Sequence, residues 1–485
     1  MVMRIGVNAT TSVQAGRSNP GTPSGRFQIA GVTATGPVDG STVVRSLAQY
    51  VQTYGGRTSY AAHMYDAAQL FFEEGGGELV VTRVVGPDAS GAAVTLLDRA
   101  AEPVATLDVE SRQPGQSALS VRVADEPGGT YSLEVLNDGA RVHFWQGLTS
   151  PTDAVAAAAG SRWVDVSSVG SVTAAPNNNP APGTFTLSGG SDDRAAITTE
   201  HIGTALTNGG LDATGGALAA PGYPADVIAE TLVPVAVAHR QIVLLSAAAN
   251  ATRSEVASVA DGLVGMEHGD YAGLFYPWVV VPDGTRRRVV DPVAYVAAVR
   301  ARAHVGTGYW RVPAGEQSRV EWAVDTQPVV DVAANDDLAG SRVNGIATIY
   351  GTPRLYGWQS LSGDVENLGL LSARDTLNSI TIAVERVLEP YVFATIDGRG
   401  YLQSRVEGDV SGVLSPVADA GGLYARINEA GELLDPGYRV TVDSSINTVE
   451  TLARNELHVR AAVRLSPTAQ LINAEVVKVA LGSAL

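Results

Sequence analysis

Few side chains in this 485-residue chain could do chemistry, and they are scattered. The seven histidines are His63, His143, His201, His239, His268, His304 and His458, and none lies within five residues of another. The usual short-range metal spacings are therefore missing, and each reads as a structural or surface residue. His268-Gly269-Asp270 invites comparison with part of a hydrolase triad. A triad also needs an activated nucleophile, and neither a Gly-x-Ser-x-Gly elbow nor a His-Glu-x-x-His motif occurs. Lys478 is the only lysine and follows no glycine-rich loop, so a phosphate-cradling P-loop is excluded. Cysteine is absent, which removes disulfides and thiolate chemistry. Arg286-Arg287-Arg288 is the single basic run. It reads either as a solvated loop or as a contact with an acidic neighbouring subunit. The chain is not read as an enzyme, and no cofactor or metal is expected.

A chain without a reactive centre works through packing and surfaces, so its composition carries the next step. An apolar content of 45% with 17% charged residues is that of a globular protein, and the length suits three or four domains. The 53 glycines and 24 prolines imply many turns and short strands. A net charge of −17 disfavours direct nucleic-acid binding, which needs a basic stripe. It fits solubility, or repulsion that keeps subunits apart until a template is present. No basic segment followed by an apolar run opens the chain, and no stretch reaches the length of a membrane span. Synthesis in a cytoplasm without membrane insertion is expected.

The elements follow from periodicity. Residues 1–26 read as an arm, with a short strand at Met3–Val7 and a Gly/Pro/Ser/Asn-rich segment after it. Tyr60, Met64, Ala67, Ala68, Phe71 and Phe72 share one helix face, Gly75 stops the helix, and Leu79–Val85 is a buried strand. From Ala89 to Asp193 short alternating runs are separated by turn residues, and Asn137-Asp138-Gly139 marks a hairpin. This region is predicted to be a small sandwich. Alternation of strand and helix returns over 194–350, with strands at Gln241–Ser246 and Tyr271–Pro282 and a helix at Ser254–Glu267. A further helix opens at Asp291-Pro292, with proline in the first turn. Ser372–Leu388 is the clearest helix, with Leu377, Ile380, Val384, Val387 and Leu388 on one face. A second helix, marked by Leu402, Val406, Val410, Val413 and Leu414, breaks at Gly421-Gly422. Leu457–Leu465 alternates as a strand, and Leu471–Leu481 is a final extended run.

Four blocks in this order closely resemble contractile tail sheath proteins. The first runs from Gly36-Pro37 through Val44-Arg45-Ser46-Leu47 and Tyr54-Gly55-Gly56 to Phe71-Phe72 and Val80-Val81-Thr82-Arg83-Val84. The second is Phe185-Thr186-Leu187-Ser188-Gly189-Gly190-Ser191-Asp192, and the third joins the Asp291-Pro292 helix to Trp310-Arg311-Val312-Pro313-Ala314-Gly315. The last starts at Asn447-Thr448 and passes a Pro467 turn into the terminal run.

The resemblance implies a multidomain α/β and α+β fold. Its parts are an N-terminal arm (1–26), a first scaffold part (27–90), an inserted β-sandwich (91–193), a subtilisin-like αβ domain (194–350) and a C-terminal α+β domain ending in a strand arm (351–485). It also implies a structural subunit that forms hexameric rings stacked helically around an inner tail tube. Contraction of that lattice would drive the tube through a target cell envelope. A bacteriophage virion engaged in viral genome ejection is one setting, with tail tube, baseplate and tail terminator proteins as partners. A non-viral contractile injection system or a tail-like bacteriocin is the alternative. Arms that exchange strands between subunits fall here on Arg4, Ile5, Gly6, Val7 and Asn8, and on Glu475, Val476, Val477, Lys478, Val479, Ala480 and Leu481. The helix facing the tube falls on Ser372–Leu388, with Arg374 and Arg386 as the contacting residues.

Overall fold

The glycine pair after Phe72 sets the first corner of the scaffold. A computed structural model describes residues 25–115, 118–209, 214–472, 476 and 478. Strands β1 (Arg26–Gly31) and β2 (Ser41–Val44) lead to helices α1 (Leu47–Tyr54) and α2 (Ala62–Glu73), then to β3 (Glu78–Arg83). The Ser46 hydroxyl caps α1 by accepting from the Gln49 amide at 3.2 Å. At the end of α2, Gly75 takes a φ of +85°. The Gly76 amide then donates to the Phe71 carbonyl at 2.8 Å and the Gly75 amide to Phe72 at 3.0 Å. This left-handed stop satisfies two orphan carbonyls and aims the chain into β3. Tyr60, expected on the buried stripe, instead precedes α2 and is 43% exposed. The helix starts at Ala62, so the spacing places Tyr60 beyond its first turn.

After β3 the chain leaves the scaffold for a module of two antiparallel sheets. Strands β4 (Gly91–Leu97), β5 (Ala105–Pro114), β6 (Leu119–Glu126), β7 (Thr130–Asn137) and β8 (Ala140–Leu148) come first. Helix α3 (Pro151–Ala158), β9 (Val164–Ser168) and β10 (Gly183–Thr186) follow. The sheet orders are β10-β6-β7-β8 and β4-β5-β9. Leu96, Leu107, Val109, Val121, Leu133 and Val135 lie in their shared core. The predicted hairpin joins β7 to β8, with Asp138 and Gly139 at φ +49° and +78°. Helix α3 was not foreseen; it buries Ala154 and Ala158 against this core. The chain enters and leaves side by side: Gly86 N–H donates to Asp192 at 2.9 Å, and Ser90 and Ser191 exchange amide bonds.

The scaffold resumes with α4 (Thr199–Thr207), β11 (Ala217–Ala219), α5 (Ala225–His239), β12 (Ile242–Ser246), α6 (Arg253–Leu263) and β13 (Ala272–Tyr276). Strands β14 (Trp278–Asp283) and β15 (Arg286–Val290), helix α7 (Val293–Gly306), β16 (Asp325–Gln327), α8 (Val332–Gly340), β17 (Val343–Ile349) and β18 (Thr352–Leu355) complete it. The eight-stranded sheet runs β18-β17-β13-β12-β11-β1-β3-β2, parallel inside and antiparallel at both edges. Both faces are covered, as the continuous apolar runs require. Ala217, Ala219, Ile242 and Leu244 face α2 and α7, whereas Leu218, Val243 and Leu245 face α5 and α6.

Three expectations are corrected here. Tyr271–Pro282 is not one strand: β13 joins the large sheet and β14 a separate sheet of order β15-β14-β16. Pro277 between them has no N–H for a ladder. Arg286-Arg287-Arg288 is not a loop but the start of β15. Pro292 occupies the cap position of α7, one step before the expected first turn.

Short helix α9 (Val365–Leu368) precedes the helical pair α10 (Leu371–Leu388) and α11 (Tyr401–Asp419). The last elements are β19 (Arg426–Ile427), β20 (Leu433–Asp435), β21 (Tyr438–Thr441), α12 (Val449–Ala453) and β22 (Arg460–Val463). Val406, Val410 and Leu414 of α11 pack with Ile380, Val440, Leu457, Val459, Val463 and Leu465. The predicted strand over Leu457–Leu465 is realised only at Arg460–Val463, although its apolar face packs as expected.

The corner at Gly76 is tightly filled. A Cβ there would stand 2.5 Å from the Phe71 ring. Gly76→Ala is expected to destabilise the fold by about 1–3 kcal/mol. A urea midpoint lowered with an unchanged slope would register it.

Candidate functional site

Helix α10 is the element to which the sequence assigned a partner, and its two halves differ. The first half is buried and polar: Ser372, Asp375, Thr376, Asn378 and Ser379 all sit inside. Asp375 forms a two-pronged pair with Arg300 of α7, at 3.0 Å from Nε and 2.5 Å from Nη2. Both side chains are no more than 3% exposed, and His304 Nε2 lies 3.6 Å from the same carboxylate. Burial pushes the Asp375 carboxyl above its ordinary range, while Arg300 pulls it down.

Arg374, one of the two proposed tube contacts, is engaged inside the subunit. Its guanidinium pairs with Asp270 and lies over the Tyr271 ring at 4.4 Å. Its side chain is 18% exposed, so little of its charge faces outward. Arg386 is exposed near the end of α10. The structure does not bring these two arginines together. Beyond α10 the loop presents Val392 and Phe393 to solvent, with Phe393 fully exposed at φ +67°. Sequence periodicity missed this tip because an isolated Val-Phe after a proline looks like core.

The arm residues divide between described and undescribed positions. Arg4, Ile5, Gly6, Val7, Asn8, Glu475, Val477, Val479, Ala480 and Leu481 lie outside the described residues. Val476 and Lys478 are exposed and belong to no strand. Leu471, Ile472 and Val476 are 78%, 81% and 97% exposed, which leaves three large apolar side chains without cover in the single chain. Close by in sequence, β21 and β22 form a sheet of two strands among the described residues.

The triad idea finds no geometry. His268 is half exposed beside Glu267, and the Asp270 carboxylate is taken by Arg374. A cleft of about 470 Å³ between α1 and the inserted module is lined by Thr42, Gln49, Gln113, Asn137, Arg162 and Trp163, a set without an acid–base pair. Among the described residues no group of three or more His, Cys, Asp or Glu side chains could hold a metal ion. Among them, too, no helix is long and apolar enough to cross a membrane.

The outcome is a mixed α/β chain whose described residues include strand edges without a partner and exposed apolar side chains at Leu471, Ile472 and Val476. Its fold is that of contractile sheath proteins. The sheath tail protein of Listeria innocua shares it at a TM-score of 0.60 and 12% identity, over 87% of this chain and 89% of that one. The sheath tail protein of Desulfitobacterium hafniense matches at 0.56 and 14%, over 90% and 94%. A chain of the anti-feeding prophage helical sheath in its contracted state matches at 0.55 and 14%, over 98% and 100%. No family model and no curated protein matches the chain.

The buried pair makes a quantitative prediction. Asp375→Ala leaves Arg300 buried without its counter-charge and is expected to cost about 3–5 kcal/mol. The double variant Arg300→Met/Asp375→Leu is expected to recover most of that loss, as read from thermal or denaturant unfolding. Equal losses in both would show that the pair contributes only packing.

Proposed function

We propose that this chain is the structural subunit of a contractile sheath. The observation that carries the reading is a fold shared with sheath proteins over almost the whole chain, 98% of it for the anti-feeding prophage sheath. On this reading the module over 91–193 is the inserted β-sandwich and the large sheet with its helices is the subtilisin-like domain. Subunits form hexameric rings stacked around a tail tube, with baseplate and terminator proteins at the ends. Contraction releases the difference between two sets of subunit contacts.

The arms supply the links. Strands donated by residues 4–8 and 475–481 would extend a neighbour's sheet through main-chain hydrogen bonds. The two-stranded β21–β22 sheet leaves edges for such addition, and pairing would cover Leu471, Ile472 and Val476. Arg374 and Arg386 remain the proposed tube-facing residues. Of the two, Arg386 is the more exposed and is the one to test, whereas Arg374 is 18% exposed and holds Asp270.

The setting has two versions. One is a phage virion that ejects its genome. The other is a non-viral injection device, favoured by similarity to a chain of the sheath complex of an extracellular contractile injection system, at a TM-score of 0.52.

Negative-stain microscopy of the purified chain is expected to show tubes or rings, and a strictly monomeric particle under all assembly conditions would refute the reading. Deletion of residues 1–20 is expected to leave a folded monomer that forms no long tubes. Lys478, the only lysine, should lose most of its reactivity to an amine-directed label on assembly. Unchanged labelling in tubes would remove the C-terminal arm from the mechanism. Arg386→Glu is expected to weaken attachment to the tube and spare self-assembly, measured by co-sedimentation with tube protein.

A further inference from the structure

Strand β15 carries basic charge on the margin of an acidic protein. Among the described residues it pairs on one side only, with β14, in the order β15-β14-β16. Its three arginines have different fates. Arg288 turns inward, 13% exposed, where it donates to Gln69 at 2.9 Å and pairs with Asp66 and Asp283 at 3.3 Å each. Arg287 stays 70% exposed, with only a distant contact to Asp325 at 3.9 Å. Arg286 is exposed next to the turn at Gly284-Thr285.

The inner arginine fixes the strand to α2, so the outer two are presented from a rigid edge. Successive side chains alternate across a strand, so Arg286 and Arg287 leave β15 on opposite faces, and an edge charged on both faces suits carboxylates that clasp it from either side. The chain has 50 Asp and Glu against 33 Lys and Arg, so a like copy is such a surface. Nucleic acid fits less well. Two outward charges give few phosphate contacts, and the net charge of −17 repels a polyanion.

We infer that the β15 edge, through Arg286 and Arg287, is a contact that receives the acidic surface of a second copy of this chain. This rests on the sheath reading and adds to it a contact between folded bodies, distinct from the exchange of arms. Such a contact joins two different patches, which is the head-to-tail kind that builds rings and helices.

The test uses the full chain. Arg286→Glu/Arg287→Glu is expected to melt like the parent, because both side chains are exposed, and to lower tube formation at physiological salt at least tenfold. Arg286→Lys places one amine on the edge of a chain whose only other lysine is Lys478. Carbodiimide cross-linking of mixed light and heavy-isotope tubes is expected to join that amine to a carboxylate of another copy. Normal assembly by the charge-reversed variant, or cross-links from position 286 confined to its own chain, would overturn the inference and leave β15 as a charged edge that merely resists pairing. Retention of the parent on immobilised DNA at physiological salt, lost in the double variant, would overturn it in favour of nucleic acid. A parent that never assembles would overturn the sheath reading itself.

Discussion

The contact between Arg300 and Asp375 is the point on which the two ends of the molecule hang. Helix α7 lies against the large sheet with most of its residues buried, and α10 carries the C-terminal elements. The pair joins them where neither charge reaches water. A buried ion pair is seldom the most stable choice, since desolvation offsets much of the attraction. It is selective, however. Any sliding of α10 along α7 would leave a bare guanidinium in the interior, so one docking geometry is strongly preferred over its neighbours.

A second buried anchor repeats the logic elsewhere. The fully buried Glu74 carboxylate, at the end of α2, accepts three backbone N–H bonds, from Glu321, Trp322 and Ala323 at 2.9–3.0 Å. It fixes an irregular segment that carries no regular structure between α7 and β16. Arg83 does the same for the inserted module, 2% exposed and donating to the carbonyls of Gly36 and Pro114 at 2.6 and 2.8 Å. In each case a single charged side chain holds main-chain groups that no helix or strand can satisfy. These anchors tie loops to the scaffold through main-chain bonds.

Much of the architecture was legible because its signals are local. Gly75 had to be a helix stop, and Asn137-Asp138-Gly139 had to be a tight turn, since few other residues tolerate those backbone angles. What stayed hidden depends on distant partners. Asp375 sits in the polar first half of α10, and nothing nearby announces Arg300, 75 positions away. Arg374 looked available to a partner because Asp270 is 104 residues distant. The arginine run looked like a loop, since only the packing of β15 on α2 shows that Arg288 belongs inside. The stripe of α10 was read correctly for Ile380, while the buried row of Ser372, Thr376, Asn378 and Ser379 was not, because short polar side chains give no apolar period.

The side-by-side entry and exit of the inserted module has a consequence for how such a chain can change. Gly86 touches Asp192, Ser90 faces Ser191 and Arg83 holds Pro114 from the scaffold side, so about a hundred residues join the rest of the chain at one compact neck. The module keeps its own core, apart from those on the two faces of the large sheet. It behaves as a cassette. Changing its length between the two sides of the neck leaves the strand pairings of the large sheet untouched, whereas discarding it would strip Arg83 of its Pro114 acceptor.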